Sequence, residues 1–205
     1  MLYIEYQYLP PISVIKTSLQ GTHIIISAYD KFQKMSFRNR CVIPTANGAC
    51  ILTVPIIGGR ENSLPIKEIR IDNSKDWQKR HWRTIMSVYG RSPWFEHYAD
   101  GLEKFYSRNF TFLCDLDLAL LQWIYTCLNV SMEIEILENK IEKGTESSFL
   151  DLRNKILPKN FQDFEHIKNL PVYLQVFQEK TGFQPNMSII DLFFCEGRNA
   201  GRCLR

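Results

Sequence analysis

LYIEYQYLPPISVIKTSLQGTHIIISAY, residues 2–29, decides the fold class. Residues 2–7 alternate apolar and polar side chains, the two-residue period of a strand. Pro10 and Pro11 suit the first turn of a helix, where a missing N–H costs nothing. Ile12, Ile15 and Leu19 then recur at helical spacing, which predicts an amphipathic helix over 11–20 with Gly21 at its C-terminal cap. Residues 23–29 return to β-branched strand character. A strand, a short helix and a second strand make a parallel crossover, and so an α/β class.

Working outward, SFRNRCVIP (36–44) and ACILTVPII (49–57) read as two hairpin strands. Thr45-Ala46-Asn47-Gly48 joins them, and Asn-Gly supplies the positive φ angles a tight turn needs. A polar loop over 58–64 leads to IKEIRID (66–72), whose alternation predicts another strand. The period then becomes helical. Helices are expected over 75–89, closed by Gly90, over 93–107 from Pro93, and from Asp115 or Asp117 to about 128. VSMEIEIL (130–137) reads as a strand. Residues 138–165 are charged and poor in strong apolar positions, and predict a mobile loop. A short helix over 171–180 and a final helix capped by Asn186 or Ser188 follow. The tail NAGRCLR is expected to fray. The order predicts a single domain of mixed α+β layers over 1–205: an N-terminal β-α-β with a β-hairpin, then a mainly helical C-terminal half.

The 205 residues are 45% hydrophobic and 23% charged, which supports one full core without staples. A net charge of +3 is too small to predict a nucleic-acid partner. No run of about 18 apolar residues predicts a membrane span. MLYIEYQYLPP has no basic start or apolar core of a signal peptide, so a cytoplasmic location is expected. Six cysteines occur without a CxxC, which favours free thiols over a metal or redox site.

Three groups of residues are candidates for chemistry. Lys34, Arg38, Asn39 and Arg40 come first. In a strand Arg38 and Arg40 would share one face, about 7 Å apart, and grip a pyrophosphate or carboxylate through forked donors. Asn39 would donate to a sugar hydroxyl or bond to backbone. The bland alternative is a solvated strand face. Second is the helix KDWQKRHWRTIMSVYG. Trp82, Ile85, Met86 and Tyr89 mark its expected buried stripe. His81 sits at the border, placed to act as a general base near neutral pH or to pack against Trp77. Lys79, Arg83 and Ser87 follow on another face, where Arg83 can reach the same ligand. Third are Gln7 and Tyr8, at a strand end before a helix, where open α/β sheets bind ligands.

Other routes fail. The four histidines lack metal-ligand spacing, and neither a phosphate-cradling glycine loop nor a GxSxG elbow occurs. Asp115 and Asp117 read as helix caps. Asp191, inside the apolar SIIDLFF, needs a partner, and Arg38 or Arg40 is the expected one.

QYLPPISV (7–14), KFQKMSFRNRCVI (31–43), ANGACILTVPI (46–56), KDWQKRHWRTIMSVYGRSPWFEHYAD (75–100) and NMSIIDLFFCEG (186–197) run in one order and cover most of the chain. In these blocks the chain resembles the WbqC-like family of bacterial proteins, some members of which lie in O-antigen gene clusters. The resemblance implies a transferase acting on a phosphorylated or nucleotide-linked sugar precursor of surface polysaccharide, with acyl or aminoacyl transfer as the expected step. His81 would then be catalytic, and Lys34, Arg38, Asn39, Arg40, Arg83, Gln7 and Tyr8 would bind a small-molecule or sugar-phosphate ligand. Cofactor and oligomeric state stay unassigned. The competing expectation is a non-catalytic binding or assembly protein, with Trp94 and Phe95 as its contact point.

Overall fold

A computed structural model describes residues 1–58, 63–138 and 149–205. The opening crossover is present: strand β1 (Leu2–Ile4), helix α1 (Ile12–Ser18) and strand β2 (His23–Ser27), with β1 and β2 parallel. Strand β5 (Glu133–Leu137) joins β2 in parallel, and strand β6 (Leu150–Asp151) joins the other side of β1 in parallel. The sheet order is therefore β5-β2-β1-β6. The chain builds outward from β1 on one side, then crosses to the other. That reversal between β2 and β6 makes β1 the switch point of the sheet, where a crevice opens at the carboxyl ends of the strands.

The hairpin forms a separate two-stranded sheet of β3 (Arg40–Thr45) and β4 (Gly48–Thr53). Thr45 pairs with Gly48, so Ala46 and Asn47 alone form the loop. Positive φ falls on Gly48 (99°) and not on Asn47, the pattern of a turn closed by a glycine bulge. The first strand of the hairpin starts later than expected. Phe37–Asn39 is a 3₁₀ turn capped by Ser36, whose Oγ accepts from the Arg38 N–H. Arg38 and Arg40 thus do not share a strand face. Arg38 turns inward and is 1% exposed, whereas Arg40 is half-buried.

IKEIRID is not a strand either. Ile66–Glu68 is a 3₁₀ turn, and only isolated bridges, Ile71 to Ile56 and Arg70 to Phe112, follow it. Its apolar alternation comes from burial of Ile66, Ile69 and Ile71 in an irregular segment.

Helices α2 (Trp77–Tyr89), α3 (Phe95–Ser107) and α4 (Leu113–Cys127) match the expected positions, with Gly90 at the C-cap of α2. The buried face of α2 is Trp77, His81, Ile85, Val88 and Tyr89; Trp82 is only half-buried and Met86 is 40% exposed. The stripe is rotated by one position from the expected one, and His81 moves from its border to its middle. Asp115 and Asp117 do not cap α4, which begins at Leu113; Asp117 faces the core.

Residues 139–148 of the expected loop over 138–165 lie outside the described residues. The rest of that stretch contains β6 and buries Ile156, Leu157 and Phe161. Helix α5 (Phe164–Ile167) ends it. Only Gln178–Thr181 (α6) of the expected 171–180 helix is helical. Residues 171–175 have no regular secondary structure, with Tyr173 and Gln175 buried and Val172 and Leu174 exposed. Helix α7 (Ile189–Glu196) follows Ser188, and the tail is not frayed. A 3₁₀ turn and α8 (Ala200–Cys203) bring Leu204 to 2% exposure. The turn at Gly197 requires glycine: φ is 57° and a Cβ would lie 2.0 Å from the Trp94 ring.

Candidate functional site

The crevice at the switch point is built by three strand ends. Just past β1 are Glu5 and Gln7, past β2 is Asp30, and past β6 are Arg153 and Asn154. Glu5 is buried. One of its oxygens accepts from Gln7 Nε2 at 3.0 Å, the other from the Asn154 backbone N–H at 2.8 Å. Asn154 holds a positive φ of 59° and accepts from Arg38 Nη1 through its side chain at 3.0 Å. Arg153 lies 3.6 Å over the Tyr3 ring, donates to Asp30 Oδ1 at 2.8 Å and forks onto Asp151. These bonds fix the wall of a cleft of about 540 Å³, lined by Asp30, Lys31, Phe32, Gln33, Lys34, Arg38, Ser63 and Asn154.

This wall is not fully satisfied. Arg38 Nε, Asp30 Oδ2 and Gln7 Oε1 are buried atoms without a hydrogen-bond partner. Such atoms are rare in folded proteins, and leaving one unmet costs about 1–3 kcal/mol. Burial pushes the Glu5 and Asp30 carboxyls up and the Arg38 guanidinium down; the opposed charges of these groups act against each shift. Asp30 therefore lines the cleft with one carboxylate oxygen clamped by Arg153 and the other buried without a partner. A larger cavity of about 750 Å³ lies beside Arg70 and Phe112. None of its described lining residues is a buried polar group with an unmet bond, so the chemistry points to the smaller cleft.

A second cleft of about 420 Å³ adjoins the first, sharing Phe32 and Lys34 with it. Arg40, Asn39, Met35, Ile56 and Lys75 line it too. Asn39 is buried and its Nδ2 donates to the Val54 carbonyl, so it serves the backbone. Arg40 Nη1 lies 2.9 Å from Met35 Sδ. Met35 itself has φ 53°, uncommon for a residue with a Cβ and a conformation found where a loop is held for function.

The other expected residues fall elsewhere. Arg83 lines a separate basic hollow with Lys75, Asp76, Lys79 and Arg80. Tyr8 and His81 meet in the interior, not in a cleft. His81 Nε2 is 3.2 Å from the Thr53 carbonyl, which only accepts, so Nε2 carries the proton. Nδ1 then accepts from the Tyr8 hydroxyl at 2.9 Å, and Tyr106 donates to Tyr8 at 2.6 Å. Burial pushes His81 down to about 4, so the ring is neutral at physiological pH. Both nitrogens are engaged, and the ring ties α2, α3, β4 and the end of β1 together. Asp191 does not reach Arg38 or Arg40. It accepts from Tyr89, Tyr173 and Gln175.

Glu5, Asp30, Arg153 and Asn154 were not singled out from the sequence. Asp30 and Asn154 are 124 positions apart and meet only because β6 pairs with β1. The only local signal is a polar residue just past a strand end, and β6 is too short to be read. Among the described residues no three His, Cys, Asp or Glu side chains are placed to hold a metal ion, and no helix is long and apolar enough to cross a membrane. All six cysteines are free thiols. Burial raises those of Cys41, Cys114, Cys127 and Cys195, which disfavours the nucleophilic thiolate.

Comparison with known proteins adds the family. The uncharacterized protein Rv1507c of Mycobacterium tuberculosis is 29% identical over 200 residues, covering 86% of each chain. No solved structure is significantly similar. A model of the WbqC-like protein family matches residues 7–161, which include every named lining residue of both clefts. The chain belongs to the WbqC-like protein family.

Proposed function

We propose that the protein is a transferase that binds a phosphorylated or nucleotide-linked sugar precursor of surface polysaccharide in the switch-point cleft. The observation that carries this reading is the incompletely hydrogen-bonded carboxylate of Asp30 lining one cleft with Lys34 and the buried Arg38. Cations suit a phosphate, and a carboxylate and amide suit sugar hydroxyls. In an acyl or aminoacyl transfer, the accessible part of the Asp30 carboxyl, which lines the cleft, orients the attacking amine or hydroxyl. His81 is reassigned to holding Tyr8 and Thr53, because both its nitrogens are occupied and the ring lines neither cleft.

A thermal-shift screen of sugar 1-phosphates and nucleotide sugars tests this reading. A compound that binds only the folded protein raises its melting temperature. The expected result is a rise for wild type that is lost in Lys34→Ala, an exposed position whose replacement leaves the core intact. Equal rises in both proteins would remove the phosphate role of Lys34, and no rise with any sugar phosphate would remove the reading.

The alternative, a non-catalytic binding protein, is favoured by one surface. Trp94 and Phe95 are half-buried, and Phe95 packs on Phe194 and Trp82. Val172 and Leu174 are instead 79% and 74% exposed on an irregular segment. Loss of partner capture in Val172→Ser/Leu174→Ser, with sugar-phosphate binding absent throughout, would establish that alternative.

A further inference from the structure

The two adjoining clefts differ in chemistry in a way that orients a ligand. The switch-point cleft presents hydrogen-bonding groups, Asp30, Gln33, Ser63 and Asn154, suited to a polyhydroxylated ring. The neighbouring cleft is walled by Met35, Val54, Pro55 and Ile56, with Arg40 and Lys75 at the same wall. Apolar walls with a cationic rim suit a base and the phosphates beside it. Phe32 and the exposed Lys34 belong to both clefts, so a cation stands at their junction. Lys34 and Lys31 have no carboxylate within ion-pair distance among the described residues, so their charge is available to a ligand. The strained φ of Met35 sits next to Lys34. The volumes, about 540 and 420 Å³, each fall within the range of small-molecule sites.

We propose that the two clefts form one site for a nucleoside diphosphate sugar, with the sugar at Asp30 and Asn154, the pyrophosphate at Lys34, and the base against Ile56 and Pro55. This deepens the sugar-phosphate reading and rests on it. The base compartment is the new element. It gives the chain a reason to hold a free sugar phosphate weakly and its nucleotide-linked form tightly.

Isothermal titration with UDP-, GDP- and dTDP-glucose, the matching free diphosphates and glucose 1-phosphate tests the proposal. The proteins are wild type, Lys34→Ala and Ile56→Glu, each first checked for an unchanged melting temperature without ligand; Ile56→Ser replaces Ile56→Glu if the latter unfolds. At least one nucleotide-linked glucose is expected to bind about tenfold or more tighter than glucose 1-phosphate, since a tenfold gain corresponds to about 1.4 kcal/mol of added contact. Lys34→Ala weakens every ligand about tenfold. Ile56→Glu weakens the nucleotide forms similarly and leaves glucose 1-phosphate within about twofold. If glucose 1-phosphate binds as tightly as the nucleotide sugars and Ile56→Glu changes nothing, the two-compartment site is overturned while the sugar-phosphate reading stands. If neither class binds wild type, both fall.

Discussion

Two buried carboxylates, Asp191 in α7 and Asp117 in α4, sit inside apolar helices at 0% and 1% exposure and have opposite surroundings. Asp191 receives three donors: the Tyr89 hydroxyl at 2.9 Å, the Tyr173 hydroxyl at 2.5 Å and Gln175 Nε2 at 2.7 Å. It ties α7, α2 and the irregular 171–176 segment into one unit. Asp117 has no hydrogen-bond partner at either oxygen, and only the charge of Arg38 acts in its favour. Burial raises both, Asp191 to about 6 and Asp117 well above its ordinary value. The difference separates two uses of interior polarity. Around Asp191 the network is closed and holds the fold. Around Arg38 it is open, on the side where Glu5, Asp30 and the cleft lie.

The comparison breaks most visibly at Asp191. Asp191→Ala leaves three buried donors without their acceptor and is expected to cost about 4 kcal/mol, summed over groups worth about 1–3 kcal/mol each. Urea unfolding monitored by tryptophan fluorescence measures it. A loss below about 1 kcal/mol would mean that the network relaxes and is not the fold's clamp.

Acid provides the next effect. His81 titrates near 4 in the folded protein and near 6.5 unfolded, so its contribution is complete above pH 6.5 and is lost as pH falls toward 4. Asp191 works the other way. Its folded form keeps the proton up to about 6, so stability falls as pH rises through the window from about 4 to 6. Each contribution amounts to about 3 kcal/mol, and they oppose one another. His81→Gln, which keeps a donor for Thr53, removes one side only. Relative to wild type it should gain about 3 kcal/mol between pH 6.5 and pH 4, read from denaturant midpoints. Parallel pH profiles for the two proteins would show that His81 is not held neutral by burial.

A smaller effect of opposite sign is expected at Asp117. Asp117→Asn replaces an unpartnered acid with a neutral group of the same shape and should stabilise the fold by about 1 kcal/mol, measured as a raised melting temperature. A loss as large as that at Asp191 would erase the distinction between the two regions.

The fold was more legible than the site, for a physical reason. Periodicity reports burial along one element. It located the β1–α1–β2 crossover, the hairpin and helices α2 to α4. It misread Ile66–Ile71, where alternate burial occurs without a ladder, and placed the α2 stripe one position off, which left His81 at an edge. Lys34 and Arg38 were readable as a local cationic cluster and do meet in one cleft. Arg40 and Asn39 belong to the neighbouring one, because the 3₁₀ turn at Phe37–Asn39 breaks the expected strand face. Asp30 and Asn154 carry no local signature. Their meeting depends on a two-residue strand, Leu150–Asp151, crossing to the far side of β1. A pairing that short leaves no period to read.

The central claim is that the open region, not the closed one, receives ligand. A backbone-amide NMR titration of the wild-type protein with glucose 1-phosphate tests it most directly. Shifts are expected at Asp30–Arg38 and at Asn154, with Tyr173, Gln175 and Asp191 unmoved, and they should need about tenfold more ligand in Lys34→Ala but be unchanged in the surface variant Lys104→Ala. Shifts confined to the 171–176 segment and α7, or a titration midpoint unchanged in Lys34→Ala, would contradict the account.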